Sequence, residues 1–292
     1  SMLDNPRQGY TWPDRTDNKL AAVNLKASDF IGSDELHLIA GNIYLRNLKS
    51  DSFSSNVNDD FDDTPATPDP ALNNINKVDQ STHGVTLQYS YLGDLAGNKS
   101  TLVAGVSADW GKADFTQSEQ PAVFAADRGT IATGDFAQET LAQTRNRNLG
   151  IFFTDTLSLT PAWTLTMSGR YNRTRVQIED KSGENPDLNG DHTFNRFNPA
   201  LGVNYAPSPA LTAYASYNEG MRAPSPLELT CADPEAPCKL PNNFLADPPL
   251  DPVISKTIEL GARGKFNGDG RWSAALFRTD LHDDIQFISS GG

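Results

Sequence analysis

Cysteine is scarce in this chain of 292 residues, which has two, Cys231 and Cys238, close together in a proline-rich stretch. A close pair of this kind predicts a local disulfide, and therefore an oxidising compartment. A metal-binding pair is the alternative reading, although no histidine lies nearby to complete such a site.

Long apolar runs are also missing. No stretch of about 18 apolar residues occurs, and only 37% of the residues are hydrophobic. This composition excludes a helical membrane protein, but it leaves a membrane β-barrel open because barrel strands alternate apolar and polar residues. Acidic residues outnumber basic ones, and the net charge is −13. That excess argues against a nucleic-acid partner, since phosphate binding requires a basic surface.

Catalytic and metal-binding signatures are absent as well. The chain has no Gly-x-Ser-x-Gly elbow, no phosphate-binding glycine loop and no His-Glu-x-x-His motif. Its four histidines are scattered over unrelated segments. An acidic run offers hard oxygen ligands for calcium, but its spacing fits a solvated loop better; the run comprises Asp59, Asp60, Asp62 and Asp63. The sequence therefore predicts no enzyme, no cofactor and no metal site.

What the chain has instead is alternation of apolar and polar residues with a period of two. The clearest case is residues 163–172, in which Trp163, Leu165 and Met167 alternate with threonines and a serine. A period of two is typical of a strand whose two faces meet different surroundings. Applied along the chain, the pattern predicts about ten strands.

The predicted connections alternate strictly in length. Short turns are expected at residues 32–35, 93–98, 160–162, 206–210 and 267–270. Long loops are expected at residues 50–76, 118–134, 181–193 and 221–253. Aromatic residues flank four of the short turns, as an interfacial girdle requires. The sequence therefore predicts an all-β fold, an antiparallel up-and-down transmembrane β-barrel with short periplasmic turns and long extracellular loops.

The stretch from residue 214 to residue 264 carries two linked motifs. The first contains Tyr217, Gly220, Arg222, Ala223, Pro224 and Ser225, and the second contains Leu250, Pro252, Ser255, Glu259 and Gly261. These motifs resemble those of the TonB-dependent receptors of Gram-negative outer membranes. Val253 departs from the pattern, since the family usually has glutamate there.

The resemblance implies that residues 1–292 form part of a receptor barrel domain, a partial barrel without the plug domain and the remaining strands. It implies an outer-membrane receptor that binds a scarce nutrient such as a ferric siderophore. Import would use energy from the TonB complex, which would act through the missing plug, and lipid would surround the barrel. A passive porin-like channel or a barrel adhesin is the alternative, and a soluble all-β binding module is a third hypothesis.

Two sets of functional residues follow. Glu259, Arg263, Arg170 and Arg196 lie on the polar sides of their strands and are expected to face the lumen, either in ion pairs or towards a ligand. The ligand-binding candidates belong to the long loop 221–253, and they are Arg222, Glu228, Asn242 and Asn243. Ligand specificity is expected to reside in the long loops, which vary freely.

Overall fold

The computed structural model of the protein describes residues 15–58, 69–126, 129–183, 186–226, 229, 250–266 and 270–285. These residues form one sheet of eleven strands. The strands are β1 Arg15–Ile31, β2 His37–Val57, β3 Ala71–Leu95, β4 Asn98–Phe124, β5 Thr130–Ala132, β6 Ala137–Ser158, β7 Trp163–Asp180, β8 Gly190–Ser208, β9 Leu211–Arg222, β10 Val253–Lys265 and β11 Arg271–His282. A single 3-10 turn, Pro186–Leu188, lies between β7 and β8.

Each long strand pairs antiparallel with its neighbours in sequence, so the order β1 to β11 is also the spatial order, with the short β5 beside β4. The sheet is not closed, because β1 and β11 each pair on one side among the described residues. The antiparallel order places the connections β1–β2, β3–β4, β6–β7, β8–β9 and β10–β11 at one end, here called the turn end. The other connections lie at the opposite end, the loop end. The predicted topology is confirmed.

The β3–β4 connection is an example of the short connections at the turn end. Leu95 pairs with Asn98, so two residues, Ala96 and Gly97, join β3 to β4. Both have positive φ, 52° and 81° respectively. Two positive φ values are the signature of the type I′ turn, whose twist matches that of a β-hairpin. Gly97 adopts this conformation without steric cost.

At the loop end the strands are longer than the sequence predicts. Residues 50–57 and 71–76 were expected to be loop, but they continue β2 and β3 and pair with each other. The prediction for residues 118–134 was also wrong, since β4 runs to Phe124 and β5 pairs with its last residues. In these extensions both faces meet similar polar surroundings, so the alternation that identified the other strands is missing.

The two faces of the sheet differ sharply nearer the turn end. Large apolar side chains lie exposed on one side, here called the apolar face; its exposed members include Leu87, Val106, Ile151, Phe197, Leu201 and Leu260. Leu165 lies on the same face but is half-buried, in register between Leu157 and Val203. No helix in the described part of the chain is long and apolar enough to cross a bilayer.

Aromatic rings border the apolar face at the turn end. Trp163 begins β7 directly opposite Tyr205 of β8. Their rings stack with centroids 4.4 Å apart. Tyr91 of β3 folds over Gly93, leaving no room there for a side chain, and its hydroxyl donates to the carbonyl of Asp94. Amphipathic rings at one end of an exposed apolar surface fit a membrane–water interface.

Candidate functional site

The opposite side of the sheet, here called the polar face, carries the hydrogen-bonding side chains. Register places its members in rows that run across the strands. One row crosses six strands, and it consists of Asn42, Thr86, Ser107, Gly150, Asn172 and Arg196. Residues directly opposite one another on antiparallel strands point to the same side. The polar face is therefore a continuous surface of amides, hydroxyls and guanidinium groups.

Arg170 lies on this face and crosses a neighbouring strand. Its guanidinium Nη2 donates to Ser107 Oγ at 2.9 Å, and its Nε donates to Asn172 Oδ1 at 2.6 Å. The path from β7 to β4 passes over Gly150 of β6, where a Cβ would collide with the guanidinium. Its Cζ also lies 5.5 Å from the ring centroid of Phe152. The absence of a side chain at position 150 thus allows one arginine to link three strands.

A tyrosine makes a similar crossing between β2 and β4. The Tyr44 hydroxyl donates to Asp109 Oδ1 at 2.6 Å, although the two residues are separated by β3. Gly84 of β3 lies beneath the tyrosine ring, and a Cβ there would overlap the ring and the carboxylate. Long polar side chains over glycines therefore fasten the polar face across strands.

Glu259 of β10 belongs to the same system. It accepts a hydrogen bond from the Tyr214 hydroxyl at 2.7 Å, and the Tyr214 ring covers Gly261. Arg263 lies in register with Thr212, exposed and closer to the turn end. Both predicted residues thus lie on the polar face, and that this face lines a lumen is part of the proposal below.

Arg196 makes an ion pair with Glu219 across the β8–β9 border. Both side chains are largely buried, with 26% and 15% of their surfaces exposed. The Tyr217 hydroxyl also donates to Glu219, at 2.5 Å. A carboxylate with two donors in a partly buried position is held firmly, since charge-assisted hydrogen bonds are the stronger ones.

The loop-end extensions carry further ion pairs on the other side of the sheet. Arg175 donates from Nε to Asp191 Oδ1 at 2.7 Å, and this hydrogen bond lowers the pKa of Asp191 below its usual range. Lys181 lies against Glu179 and lowers the pKa of that carboxyl in the same way. The energetic value of such exposed pairs is small.

A small apolar core lies on the polar-face side at the loop end. This loop-end cluster contains six buried residues, namely Ala142, Val176, Ile178, Leu188, Phe194 and Leu229. Met221, Ala223 and Leu250 pack against it. Leu188 belongs to the β7–β8 connection, whereas Leu229 and Leu250 belong to the β9–β10 connection. The cluster therefore anchors two loops on the same part of the sheet.

Nothing in the alternation pattern pointed to this cluster. Leu188 stands isolated in a polar stretch and Leu229 lies in a proline-rich one, and both are fully buried. The signal that identifies them is the change at the top of β7, where Val176 and Ile178 put apolar residues on the polar side of the strand. Apolar residues on the polar side require a covering element, and the loops supply it.

Several polar atoms on the polar face are buried without a hydrogen-bond partner within the described part of the chain. They include Asn42 Oδ1, Asn146 Oδ1, Asn198 Oδ1 and Arg196 Nε. A buried polar group left unpaired costs about 1–3 kcal/mol. The face is thus suited to receive a further polar surface or ordered water.

Of the four ligand-binding candidates predicted in the long loop, only Arg222 lies within the described residues. Arg222 ends β9 in register with Val253, and its side chain is exposed. Glu228, Asn242 and Asn243 lie outside the described residues, as do Cys231 and Cys238, so their roles remain predictions. The acidic run at residues 59–63 also lies outside them. In the described part of the chain, no three acidic, histidine or cysteine side chains converge as metal ligands would.

The comparison with known families decides which barrel this is. The profile of the family described as TonB dependent receptor-like, beta-barrel, matches residues 3–292. The chain belongs to the TonB-dependent receptor family. This family consists of transporters and receptors rather than enzymes, and its members are outer-membrane barrels of Gram-negative bacteria.

Solved structures of TonB-dependent receptors share the fold. The siderophore receptor PiuA from Acinetobacter baumannii matches with a TM-score of 0.67 at 16% identity, over 92% of this chain and 41% of that one. The ferric-catecholate import receptor Fiu from E. coli K12, in its open form, matches with a TM-score of 0.67 at 14% identity, over 92% and 42%. The copper transporter OprC matches with a TM-score of 0.64 at 18% identity, over 92% and 39%. The chain therefore spans about two fifths of the length of each.

Proposed function

We propose that the chain is part of an outer-membrane receptor barrel that binds a ferric siderophore or a similar scarce nutrient, with import driven by energy delivered through TonB. The observation that carries this proposal is the family match over residues 3–292. Among the similar structures, PiuA is titled a siderophore receptor and Fiu a ferric-catecholate import receptor. OprC is titled a copper transporter, so the nutrient has to be tested rather than assumed.

The polar face supports a lumen filled by a polar partner. Its unpaired buried atoms, Asn42 Oδ1 and Arg196 Nε among them, need donors and acceptors from outside the sheet. In the proposed receptor the plug domain supplies these groups. Arg170, Glu259 and Arg196 are already engaged by hydrogen bonds within the sheet, so their proposed role is to hold the wall rigid. Arg263 is the exposed cation of this set.

Ligand capture is assigned to the β9–β10 loop, residues 223–252. The loop-end cluster anchors it through Leu229 near its start and Leu250 near its end. Anchoring at both ends shortens the free part of the loop and lowers the conformational entropy lost on binding. Arg222, the last residue of β9 before the loop, and Glu228, Asn242 and Asn243 within the loop are the proposed contacts.

Deleting residues 228–248 in the full-length receptor tests this assignment. We expect an iron-starved host to lose growth on one iron source, or uptake of one other scarce metal complex, while the amount of barrel in the outer membrane stays normal. The wild-type receptor and a strain without the receptor gene set the two limits of growth. If every candidate nutrient is still taken up at the wild-type rate, the loop is not part of the binding site.

The proposed disulfide between Cys231 and Cys238 has a separate test. Closing so short a loop stabilises it by roughly 2–3 kcal/mol in the chain-entropy account. Mass spectrometry of unreduced peptides from receptor isolated from the outer membrane is expected to find the two cysteines linked, and reduction is expected to release them. Free thiols at both positions in such a preparation would contradict the prediction.

A further inference from the structure

Five basic residues gather on the apolar-face side of the sheet, just beyond the apolar surface towards the loop end. This basic patch consists of Lys112 of β4, Arg145 and Arg147 of β6, and Arg173 and Arg175 of β7. All five point to the side on which Val106, Ile151 and Tyr171 lie, because each is an even number of residues along its strand from one of them. The patch is notable in a chain whose net charge is −13.

The register of the strands brings like charges together within the patch. Lys112 lies directly opposite Arg145, and Arg147 lies directly opposite Arg175. Like charges in directly opposed positions destabilise a sheet. One member of each pair already has a carboxylate partner, Asp114 for Lys112 and Asp191 for Arg175, so an external anion would have to offset only the remaining repulsion.

The carboxylates of the sheet compensate only part of this charge. Asp114 pairs with Lys112 at 2.8 Å, and Asp191 pairs with Arg175. Arg145 donates to the neutral Gln143 at 2.6 Å. A third carboxylate, Glu179, lies near Arg145 but makes its ion pair with Lys181. The five cations therefore have two directly paired carboxylates and a third that is shared with Lys181.

Arg147 and Arg173 are the open positions of the patch. Both side chains are exposed, and within the described part of the chain neither makes a hydrogen bond or an ion pair. Their guanidinium groups therefore have their full donor capacity available for an external ligand. Arginine presents its donors in a fork that matches phosphate oxygens.

The position of the patch along the strands, relative to the apolar surface, indicates which kind of molecule carries the anion. Arg147 is two residues from Leu149 and Arg173 is two residues from Tyr171, which are 51% and 43% exposed. Two strand residues correspond to about 7 Å. The apolar surface of β7 from Trp163 to Tyr171 spans about 27 Å along the strand. With a tilt of about 40° it matches the apolar band of an outer-membrane barrel. The patch then lies at headgroup level.

Aromatic residues mark the same boundary. Trp110 of β4 is in direct register with Arg147. Its ring stacks on His83 of β3, with centroids 5.4 Å apart. An indole at the border between apolar and charged side chains is typical of the membrane–water interface. The patch therefore borders lipid and not the lumen.

We propose that the basic patch binds the phosphate groups of a phosphorylated glycolipid in the outer leaflet, with Arg147 and Arg173 as its principal contacts. The acyl chains of the same lipid lie against the apolar surface below, next to Leu149 and Ile151. Free phosphate lacks this second contact, which is why the lipid is the occupant that fits. The binding requires no transport, so it is independent of the nutrient.

Binding of diphosphoryl lipid A to the full-length receptor tests the proposal. Wild-type receptor in phosphatidylcholine nanodiscs with increasing lipid A is compared with the double variant Arg147→Gln/Arg173→Gln. We expect the variant to bind lipid A at least about tenfold more weakly, because each of the two basic residues at a membrane surface contributes about a fivefold factor. The matched control is Arg46→Gln, at the same height on the polar face, which is expected to bind like wild type.

Thermal unfolding in neutral detergent provides a second readout. Without lipid A, the double variant is expected to unfold at the wild-type temperature or higher, because one like-charge neighbour has been removed. With lipid A, wild type is expected to gain stability and the variant is not. Equal affinity of the two proteins for lipid A would overturn the proposal. So would inorganic phosphate alone, if it stabilised wild type as much as lipid A does at the same concentration.

Discussion

Replacing Leu87 by arginine is expected to destabilise the assembled barrel by about 2–4 kcal/mol, the cost of a cation at the bilayer midplane on the lipid side. Leu87 is 52% exposed and lies in the middle of the apolar surface of β3, in register with Val106. Its charge would have to leave the hydrocarbon or draw water into it. The measurement is the free energy of folding of the full-length receptor into phospholipid vesicles, from urea titration.

The control is a substitution at the next residue along β3, Gln88. Gln88→Arg introduces the same side chain into the same strand but on the polar face, where Gln88 already donates to Ser90 Oγ at 3.3 Å. We expect this variant to fold within about 1 kcal/mol of wild type, since substitutions on a wetted face are usually mild. Equal losses at positions 87 and 88 would show that the apolar face does not meet lipid.

Replacing Leu229 by aspartate is expected to detach the β9–β10 loop from the sheet. Leu229 is fully buried in the loop-end cluster, against partners that include Val176 and Phe194. Truncating such a leucine to alanine costs about 2–5 kcal/mol, and burying an unpaired carboxylate costs more. Ala223 and Leu250, at the two ends of the connection, also pack against the cluster and are expected to stay in place. Losing Leu229 is therefore expected to release the part of the connection between them, while β7 and β8 keep their ladder of hydrogen bonds.

Limited proteolysis of the receptor in outer-membrane vesicles measures this release. Leu229→Asp is expected to be cut within residues 223–252 at least tenfold faster than wild type, with uptake of the nutrient falling accordingly. Leu229→Met conserves volume and costs less than about 1.5 kcal/mol, so it should behave as wild type. A protected loop in the aspartate variant would mean that the cluster does not hold it.

The sequence predicts the fold best where the two faces of a strand meet different surroundings. Trp163, Met167 and Tyr171 alternate with polar residues because one side of β7 belongs to the exposed apolar face and the other to the polar face. The same rule fails at the loop end, where residues 50–57 and 71–76 are strand with polar residues on both faces. There only the backbone hydrogen bonds between the strands maintain the pairing. Any sequence can form these bonds, so they leave no pattern of side chains from which the strands could be predicted.

The candidate site was accessible to sequence reasoning only in part. The two-residue alternation along β7 places Arg170 on the polar side. Its contact with Ser107, however, depends on Gly150, a residue of another strand. Such a contact needs the register of β4, β6 and β7 together. The loop-end cluster is equally hidden, since Leu188 and Leu229 are far apart in sequence and meet only because two loops fold over one end of the sheet.

The simple spatial order of the strands bears on how receptors of this kind change size over evolutionary time. Since every long strand has its sequence neighbours as its partners, one hairpin is a self-contained module. Duplicating or losing a hairpin leaves the direction of all other strands unchanged, and each keeps its lipid-side and lumen-side residues. Gaining or losing a single strand would invert everything that follows it. Selection on such genes therefore acts on pairs of strands, which is why bacterial barrels of this class grow in even steps.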